Sequence, residues 1–126
     1  MITGNYPSLR LRRSRKNDWS RRLIEENNLT PNDFILPVFL IEGRNKKVPV
    51  KSMPGVYRHT LDRINYIVDK AIKNGLPMIA LFPYTEKRKK NLLGTESLNE
   101  DNLVCKALQS IKKRYKNEIG IMCDVA

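Results

Sequence analysis

The sequence predicts an α/β fold in which parallel strands alternate with helices. Three short apolar runs, at residues 34–41, 76–83 and 119–126, have the length and composition of buried strands. Between them, residues 61–74 and 99–117 carry apolar side chains at helical spacing. This order forms two βαβ units, which are right-handed and place their strands in one parallel sheet. A doubly wound sheet and a barrel both begin this way, and the absence of glycine-rich phosphate-binding fingerprints disfavours the first.

The N-terminal third contains an arm, a short helix and the first strand. Residues 1–16 show little apolar periodicity and predict an extended arm. A helix is expected over residues 18–28, with Trp19, Leu23 and Ile24 on one side, followed by a turn at 30–33. Within the strand at 34–41, Pro37 has no N–H to donate, which predicts a bulge or a sheet edge at that position.

The long segment from residue 42 to 60 is predicted to be a loop. It is built on Gly43, Pro49, Pro54 and Gly55 and exceeds the usual length of a connection, so we expect it to be functional or packed at an interface. The helix that follows is expected to end at Gly75, which suits a C-cap.

The last apolar run carries one carboxylate, Asp124, and no turn or polar tail follows it. A buried strand of this kind needs neighbours on both sides, so we expect the fold to be unfinished at Ala126. Carboxylates at the carboxyl ends of parallel strands commonly lie at the site of chemistry. Asp124 is therefore the first candidate functional residue.

Composition and charge narrow the class of protein. The 126 residues carry a formal charge of +11, concentrated in the first 22 residues and in the run 87–90. Such clusters of positive charge indicate either a nucleic-acid partner or a solvent-exposed arm and loop. Cys105 and Cys123 show no metal-binding spacing and are expected to be buried small hydrophobes. No signal peptide or membrane span is visible, and we expect a cytoplasmic protein without membrane contact.

Several motifs in collinear order carry a family resemblance. The segment 52–58 (SMPGVYR) follows the first strand, and Leu81-Phe82-Pro83, the stretch 94–97 (GTES), residues 99–107 and the closing 124–126 (DVA) come after it. From about Arg10 onward the chain resembles the porphobilinogen synthase family, also called δ-aminolevulinic acid dehydratase. The chain departs from that pattern at Asn91, Ser97 and Asn102, which puts loop conformation and interface contacts in question.

The resemblance implies a (β/α)8 TIM barrel, of which this chain carries the first three strands and two helices. Residues 1–17 would be a basic N-terminal arm and residues 18–126 a partial barrel, incomplete at the C-terminus. The family condenses two 5-aminolevulinate molecules to porphobilinogen in tetrapyrrole and heme biosynthesis. Its two Schiff-base lysines match none of the lysines in this chain, which we therefore expect to be inactive by itself.

The resemblance also assigns individual residues. Asp124 matches the family's active-site aspartate, with a structural hydrogen-bonding role as the alternative. Ala126 stands at the position of the first of three zinc-binding cysteines in zinc-dependent members. A methyl group cannot bind a metal, so the resemblance implies the subtype without the three-cysteine zinc site, in which magnesium or a monovalent cation often supports activity. Of these, magnesium is expected in the full-length enzyme, and no cofactor is expected in this segment.

The arm has a family counterpart as well. Arg10, Arg12, Arg13 and Arg15 correspond to an arginine-rich arm that wraps a neighbouring subunit in a homo-octamer, and the resemblance favours subunit contact over RNA binding. Two other readings remain open: a small basic α/β module that contacts nucleic acid or an oligomeric partner through this arm, and an interaction protein that joins an oligomer. The first predicts binding that weakens steeply with salt.

Overall fold

The computed structural model describes residues 4–124, and within them one mixed sheet carries its two longer helices on one face. The strands are β1 (Ile35–Leu40), β2 (Lys47–Pro49), β3 (Tyr57–His59), β4 (Met78–Pro83) and β5 (Gly120–Cys123), and the helices are α1 (Asp18–Leu23), α2 (Ile64–Lys73) and α3 (Leu103–Tyr115). The strand order is β2-β3-β1-β4-β5. Strands β3, β1, β4 and β5 run parallel, whereas β2 is antiparallel to β3.

The two predicted βαβ units are confirmed. Helix α2 connects β1 to β4 and helix α3 connects β4 to β5, and both strand pairs are parallel. Alternate side chains of β1 and β4 point to the helices, and Leu40, Ile79 and Leu81 are fully buried there. They pack with the apolar faces of α2 and α3 in one core cluster, whose helical members are Ile64, Val68, Ala71, Ala107, Ile111 and Tyr115.

The end of α2 follows the predicted C-cap chemistry. Gly75 has φ +73°, a left-handed conformation that glycine adopts without strain. The Gly75 N–H donates to the Ile72 carbonyl at 2.9 Å and the Leu76 N–H donates to the Ala71 carbonyl at 3.0 Å. This pair of hydrogen bonds is a Schellman motif, and it turns the chain directly into β4.

Pro37 lies at a local edge of the sheet, one of the two predicted outcomes. Pairing between β1 and β3 begins at Phe39, so at Pro37 strand β1 has a partner only in β4. The Ile41 N–H donates toward β3, to the His59 carbonyl. Because backbone direction alternates along a strand, the Pro37 nitrogen faces that same side, where no partner strand needs its missing N–H.

The prediction of a continuous loop over residues 42–60 was wrong. Strands β2 and β3 lie within it and form an antiparallel ribbon that extends the sheet beyond β1, so the sheet is mixed rather than wholly parallel. Each strand has only three residues, which is too short for a period-two pattern to be visible in the sequence. His59, which falls within this predicted loop, is a half-buried strand residue.

The first helix is shorter than predicted. Helix α1 ends at Leu23 rather than near residue 28, and its single buried residue is Ser20. Trp19 and Leu23, expected on a packed side, are 63% and 79% exposed. Helices of this length depend on tertiary packing for stability, and little of α1 packs within the described residues.

Candidate functional site

A cavity of about 200 Å³ lies at the carboxyl ends of β4 and β5, where the chain also enters α3. The residues after β1, β4 and β5 contribute to it, as the parallel arrangement of the strands requires. Its floor is apolar, and its charged members are two glutamates, one lysine and one aspartate. The lining residues are Glu42, Pro83, Tyr84, Thr85, Lys89, Glu96, Ser97, Asn102, Leu103, Val104, Cys105, Leu108, Cys123 and Asp124.

Asp124 is held in this cavity by its backbone. Its N–H donates to the carbonyl of Leu81 at 3.1 Å, which continues the pairing of β5 with β4 by one residue. The carboxylate is exposed and makes no hydrogen bond or ion pair with any other described side chain. A carboxylate that no neighbouring side chain neutralises is available to hold a cationic group or to accept a proton from a bound molecule.

Lys89 connects the loops that follow β1 and β4. Its ammonium group forms an ion pair with Glu42 and lies 3.4 Å from Oε1 of Glu96. The three side chains are 30%, 35% and 21% exposed, so the cluster is partly shielded from solvent. The hydrogen bond to Glu42 raises the pKa of Lys89, against the opposing effect of burial. An ammonium group held protonated in this way is a poor nucleophile, so Lys89 is suited to shaping the cavity.

The rest of the loop from residue 84 to 102 is organised by short polar side chains. Asn91 Oδ1 accepts hydrogen bonds from the N–H groups of Leu93 and Thr95, at 3.1 and 3.2 Å. The Ser97 hydroxyl donates to the Gly94 carbonyl at 2.7 Å. Asn102 Oδ1 accepts from the Cys105 N–H at 2.8 Å and caps α3. The three positions that depart from the family pattern therefore all make hydrogen bonds in this loop or at its junction with α3.

Cys105 and Cys123 both line the cavity. Each is free of a disulfide and half-buried, so the predicted burial of these two side chains is only partial. Cys123 packs against the core cluster on the helix side, as expected from strand alternation. Burial raises the pKa of the Cys123 thiol, and the neighbouring Cys105 adds to that increase. A raised pKa keeps the thiol protonated and weakly reactive near neutral pH.

The structure does not bring the arm arginines to this cavity. Arg10, Arg12, Arg13 and Arg15 are exposed and do not line it. Arg10 lies over the ring of Tyr6, with 5.4 Å from its guanidinium carbon to the ring centroid. None of the four forms an ion pair with a carboxylate in residues 4–124. Ala126, which the resemblance assigns to a zinc-cysteine position, lies outside the described residues.

The sequence did not predict that Glu42, Lys89 and Glu96 form a charged cluster in this cavity. Lys89 lies in a run of four basic residues that predicted a solvated loop, whereas its neighbours Lys87, Arg88 and Lys90 are the exposed ones. The position of Glu42 just after a buried strand could have predicted its place in the site, because the carboxyl ends of parallel strands meet at one edge of the sheet. The pairing itself joins residues that are 47 positions apart in the chain.

The described residues do not by themselves form a metal centre. No group of three or more His, Cys, Asp or Glu side chains is placed to hold a metal ion within residues 4–124. Glu42 and Glu96, the two glutamates of the cavity, are both engaged by Lys89. Over the same residues, no helix is long and apolar enough to cross a membrane.

Helices on one face of parallel strands, with charged side chains gathered at the carboxyl ends, are the arrangement found in α/β barrels that carry enzyme active sites. A family model described as delta-aminolevulinic acid dehydratase matches residues 8–126. The chain belongs to the delta-aminolevulinic acid dehydratase family. The strand and helix order agrees with the predicted first three strands and two helices of a (β/α)8 barrel, with the β2–β3 ribbon added.

Individual relatives support this assignment. The chain is 47% identical over 119 residues to the delta-aminolevulinic acid dehydratase of Bradyrhizobium diazoefficiens, covering 94% of this chain and 33% of that protein. It is 36% identical to the Streptomyces coelicolor enzyme, covering 97% of this chain and 37% of that protein. The chain thus spans about a third of the length of these relatives.

A solved structure agrees with the sequence comparisons. The delta-aminolevulinic acid dehydratase of Toxoplasma gondii ME49, in complex with the reaction product porphobilinogen, superposes with a TM-score of 0.82 at 32% identity. The match covers 94% of this chain and 33% of that one. The alternative of a small basic module that binds nucleic acid or a partner through its arm receives no support from these comparisons.

Proposed function

We propose that this chain forms the N-terminal part of a porphobilinogen synthase, which condenses two 5-aminolevulinate molecules to porphobilinogen in the cytoplasm. The supporting observation is the family match over residues 8–126, together with a fold that superposes on a product-bound member of the family at a TM-score of 0.82. The substrate and reaction belong to the whole enzyme, of which this chain corresponds to about a third.

Asp124 is proposed as an active-site carboxylate of that enzyme. It lies at the carboxyl end of β5 and lines the cavity there, and its exposed carboxylate is not paired with any described side chain. These properties suit a group that holds the amine of a substrate or moves a proton during the condensation.

The test is the Asp124→Asn substitution in an active enzyme assembled from this chain and the remaining barrel. We expect kcat to fall by about 100-fold or more, the usual contribution of a proton-transferring or charge-holding group. The matched control is Asp101→Asn, which alters an exposed loop carboxylate whose Lys106 partner is 3.9 Å away and should leave kcat unchanged. Equal activity of Asp124→Asn and the control would refute the assignment.

The 126-residue chain by itself is proposed to lack dehydratase activity, since none of its lysines matches the family's Schiff-base positions. Lysine is suited to that covalent role because burial lowers its pKa and frees the amine. The purified chain is incubated with 5-aminolevulinate and developed with Ehrlich's reagent. A colour above the protein-free blank would contradict this part of the proposal.

The basic arm is proposed to contact a neighbouring subunit in a homo-octamer. Its four arginines, Arg10, Arg12, Arg13 and Arg15, are exposed and form no ion pair among the described residues, so their charges are available to a partner. Replacing all four with Gln in the assembled enzyme should shift the mass measured by light scattering from an octamer to smaller species. An unchanged octamer would exclude the arm from assembly.

Magnesium is proposed as the metal of the whole enzyme. The support is chemical: Ala126 replaces the first cysteine of the family's zinc site, and a methyl group offers no ligand atom. Oxygen ligands suit magnesium, whereas cysteine sulfur suits zinc. Activity of the assembled enzyme after metal removal should return with Mg²⁺. Restoration by Zn²⁺ alone would reject this assignment.

A further inference from the structure

A second concave surface lies between α2 and the β2–β3 ribbon, far in sequence from Asp124. It encloses about 430 Å³ and shares no lining residue with the cavity at the carboxyl ends of β4 and β5. We call it the basic groove, defined by the side chains of Lys47, Tyr57, His59, Tyr66 and Lys70. Its floor is apolar and is formed by Leu36, Ile67, Ala71 and Leu76.

Two lysines and two tyrosines form the sides of the groove. Lys47 Nζ lies 3.9 Å from the ring centroid of Tyr57, and Lys70 Nζ lies 4.6 Å from that of Tyr66. Each cation therefore rests on an aromatic face, which holds it in place without neutralising its charge. Both lysines and both tyrosines thus line one groove with an apolar floor.

No carboxylate balances this charge. The residues that line the groove include no Asp or Glu, and neither lysine forms an ion pair among the described residues. The two aspartates nearest in sequence are engaged elsewhere: Asp62 accepts from the Asn45 N–H at 2.9 Å, and Asp69 accepts from the Tyr115 hydroxyl at 2.6 Å. The groove thus carries an excess of positive charge.

Two titratable side chains of the groove, His59 and Tyr66, have lowered pKa values. Burial, Lys47 and Arg63 lower the pKa of His59, and its Nδ1 is buried without a hydrogen-bond partner among the described residues. The hydrogen bond and charge of Lys70, with smaller effects of Lys47 and Arg63, lower the pKa of Tyr66. Positive charge contributes to both shifts, after burial in the case of His59.

We propose that the basic groove binds a small organic anion, with a phosphate or carboxylate group between Lys47 and Lys70 and an apolar group against Ile67, Ala71 and Leu76. The lysines provide charge-assisted hydrogen bonds to the oxyanion. The apolar floor and the two tyrosine rings bury the attached hydrocarbon, which inorganic phosphate lacks. The site is separate from the proposed active site and does not depend on the proposed activity.

His59 provides a direct probe because it is the single histidine of the chain. Its Cε1–H resonance is followed by NMR in the 126-residue chain while pH is varied, with and without phenyl phosphate, inorganic phosphate or phenol. An anion in the groove stabilises the imidazolium, so phenyl phosphate should raise the His59 pKa and shift the resonance saturably. Inorganic phosphate should bind more weakly and phenol should have no effect. Benzoate in place of phenyl phosphate distinguishes a carboxylate ligand from a phosphate.

Matched lysine variants separate a built site from general charge attraction. Lys47→Gln and Lys70→Gln should each weaken phenyl phosphate binding by roughly tenfold, the effect of losing one charge-assisted hydrogen bond. Lys73→Gln removes the same charge from an exposed residue of α2 that does not line the groove, and should bind as the wild type does. The proposal is overturned if the wild-type His59 resonance shows no saturable response, or if all three variants weaken binding equally.

Discussion

Lys89, in the loop after β4, forms an ion pair with Glu42, the second residue after β1. The contact joins two connections that are adjacent only because β1 and β4 pair in parallel. Glu96 approaches the same ammonium group from the entry to α3, at 3.4 Å. One lysine therefore fixes the wall of the cavity that Asp124 lines.

Lys89→Met should loosen this loop while leaving the core intact. Leu92 and Leu93, which are almost fully exposed in the same loop, provide chymotrypsin cleavage sites. We expect cleavage there to be about threefold faster than in the wild type, since partly exposed ion pairs contribute modestly to stability. Lys90→Met, which removes the exposed neighbouring charge, is the control. Equal cleavage rates of the two variants would show that the ion pair does not hold the loop.

The cap of α3 predicts a difference between two substitutions at one position. Asn102→Ala removes the acceptor of the Cys105 N–H and should lower the free energy of unfolding by about 1 kcal/mol. Asn102→Gly should cost only a few tenths of a kcal/mol, because glycine is also a favourable N-cap residue. Urea denaturation measures both. A glycine variant as unstable as the alanine variant would contradict the capping role.

Leu81 and Leu92 provide a matched pair for the core. Leu81 is fully buried in β4, whereas Leu92 is fully exposed. Leu81→Ala should lower the free energy of unfolding by about 2–5 kcal/mol, because it removes buried hydrocarbon and leaves a cavity. Leu92→Ala should change it by less than about 0.5 kcal/mol. Urea denaturation of the two variants measures both free energies of unfolding. Similar losses of stability in Leu81→Ala and Leu92→Ala would mean that β4 is not at the centre of the core.

Tyr115 predicts a loss of stability at high pH. Its hydroxyl lies 2.6 Å from Asp69, and burial together with that carboxylate raises its pKa from 10.0 to about 12. Between these two pKa values the unfolded chain binds fewer protons than the folded chain, so the free energy of unfolding falls as pH rises. The stability that Tyr115 contributes is therefore intact below pH 10 and is lost as pH rises toward about 12.

Tyr115→Phe should flatten part of that decline, measured by urea denaturation at about pH 9 and about pH 11. Tyr66→Phe is the control, because the pKa of Tyr66 is lowered and its removal should leave the decline in place. A wild-type slope in Tyr115→Phe would show that other groups cause the effect.

Periodicity in the sequence determined the alternating part of the fold. The apolar runs became β1, β4 and β5, and the helical spacing became α2 and α3, because each of these elements buries one continuous apolar surface. Gly75 marked the end of α2 for a local reason, since its left-handed φ permits the Schellman turn. The last apolar run likewise placed Asp124 at the end of a strand, and it directly follows β5.

Tertiary structure alone decided the β2–β3 ribbon and the charged cluster. Strands of three residues have no readable period, and they exist because β3 pairs with β1 at Phe39 and Leu40. The position of Lys89 among four basic residues did not distinguish it from its exposed neighbours, and its partners Glu42 and Glu96 come from separate loops. Local pattern predicts elements that bury their own apolar face, whereas contacts between distant polar side chains depend on how those elements pair.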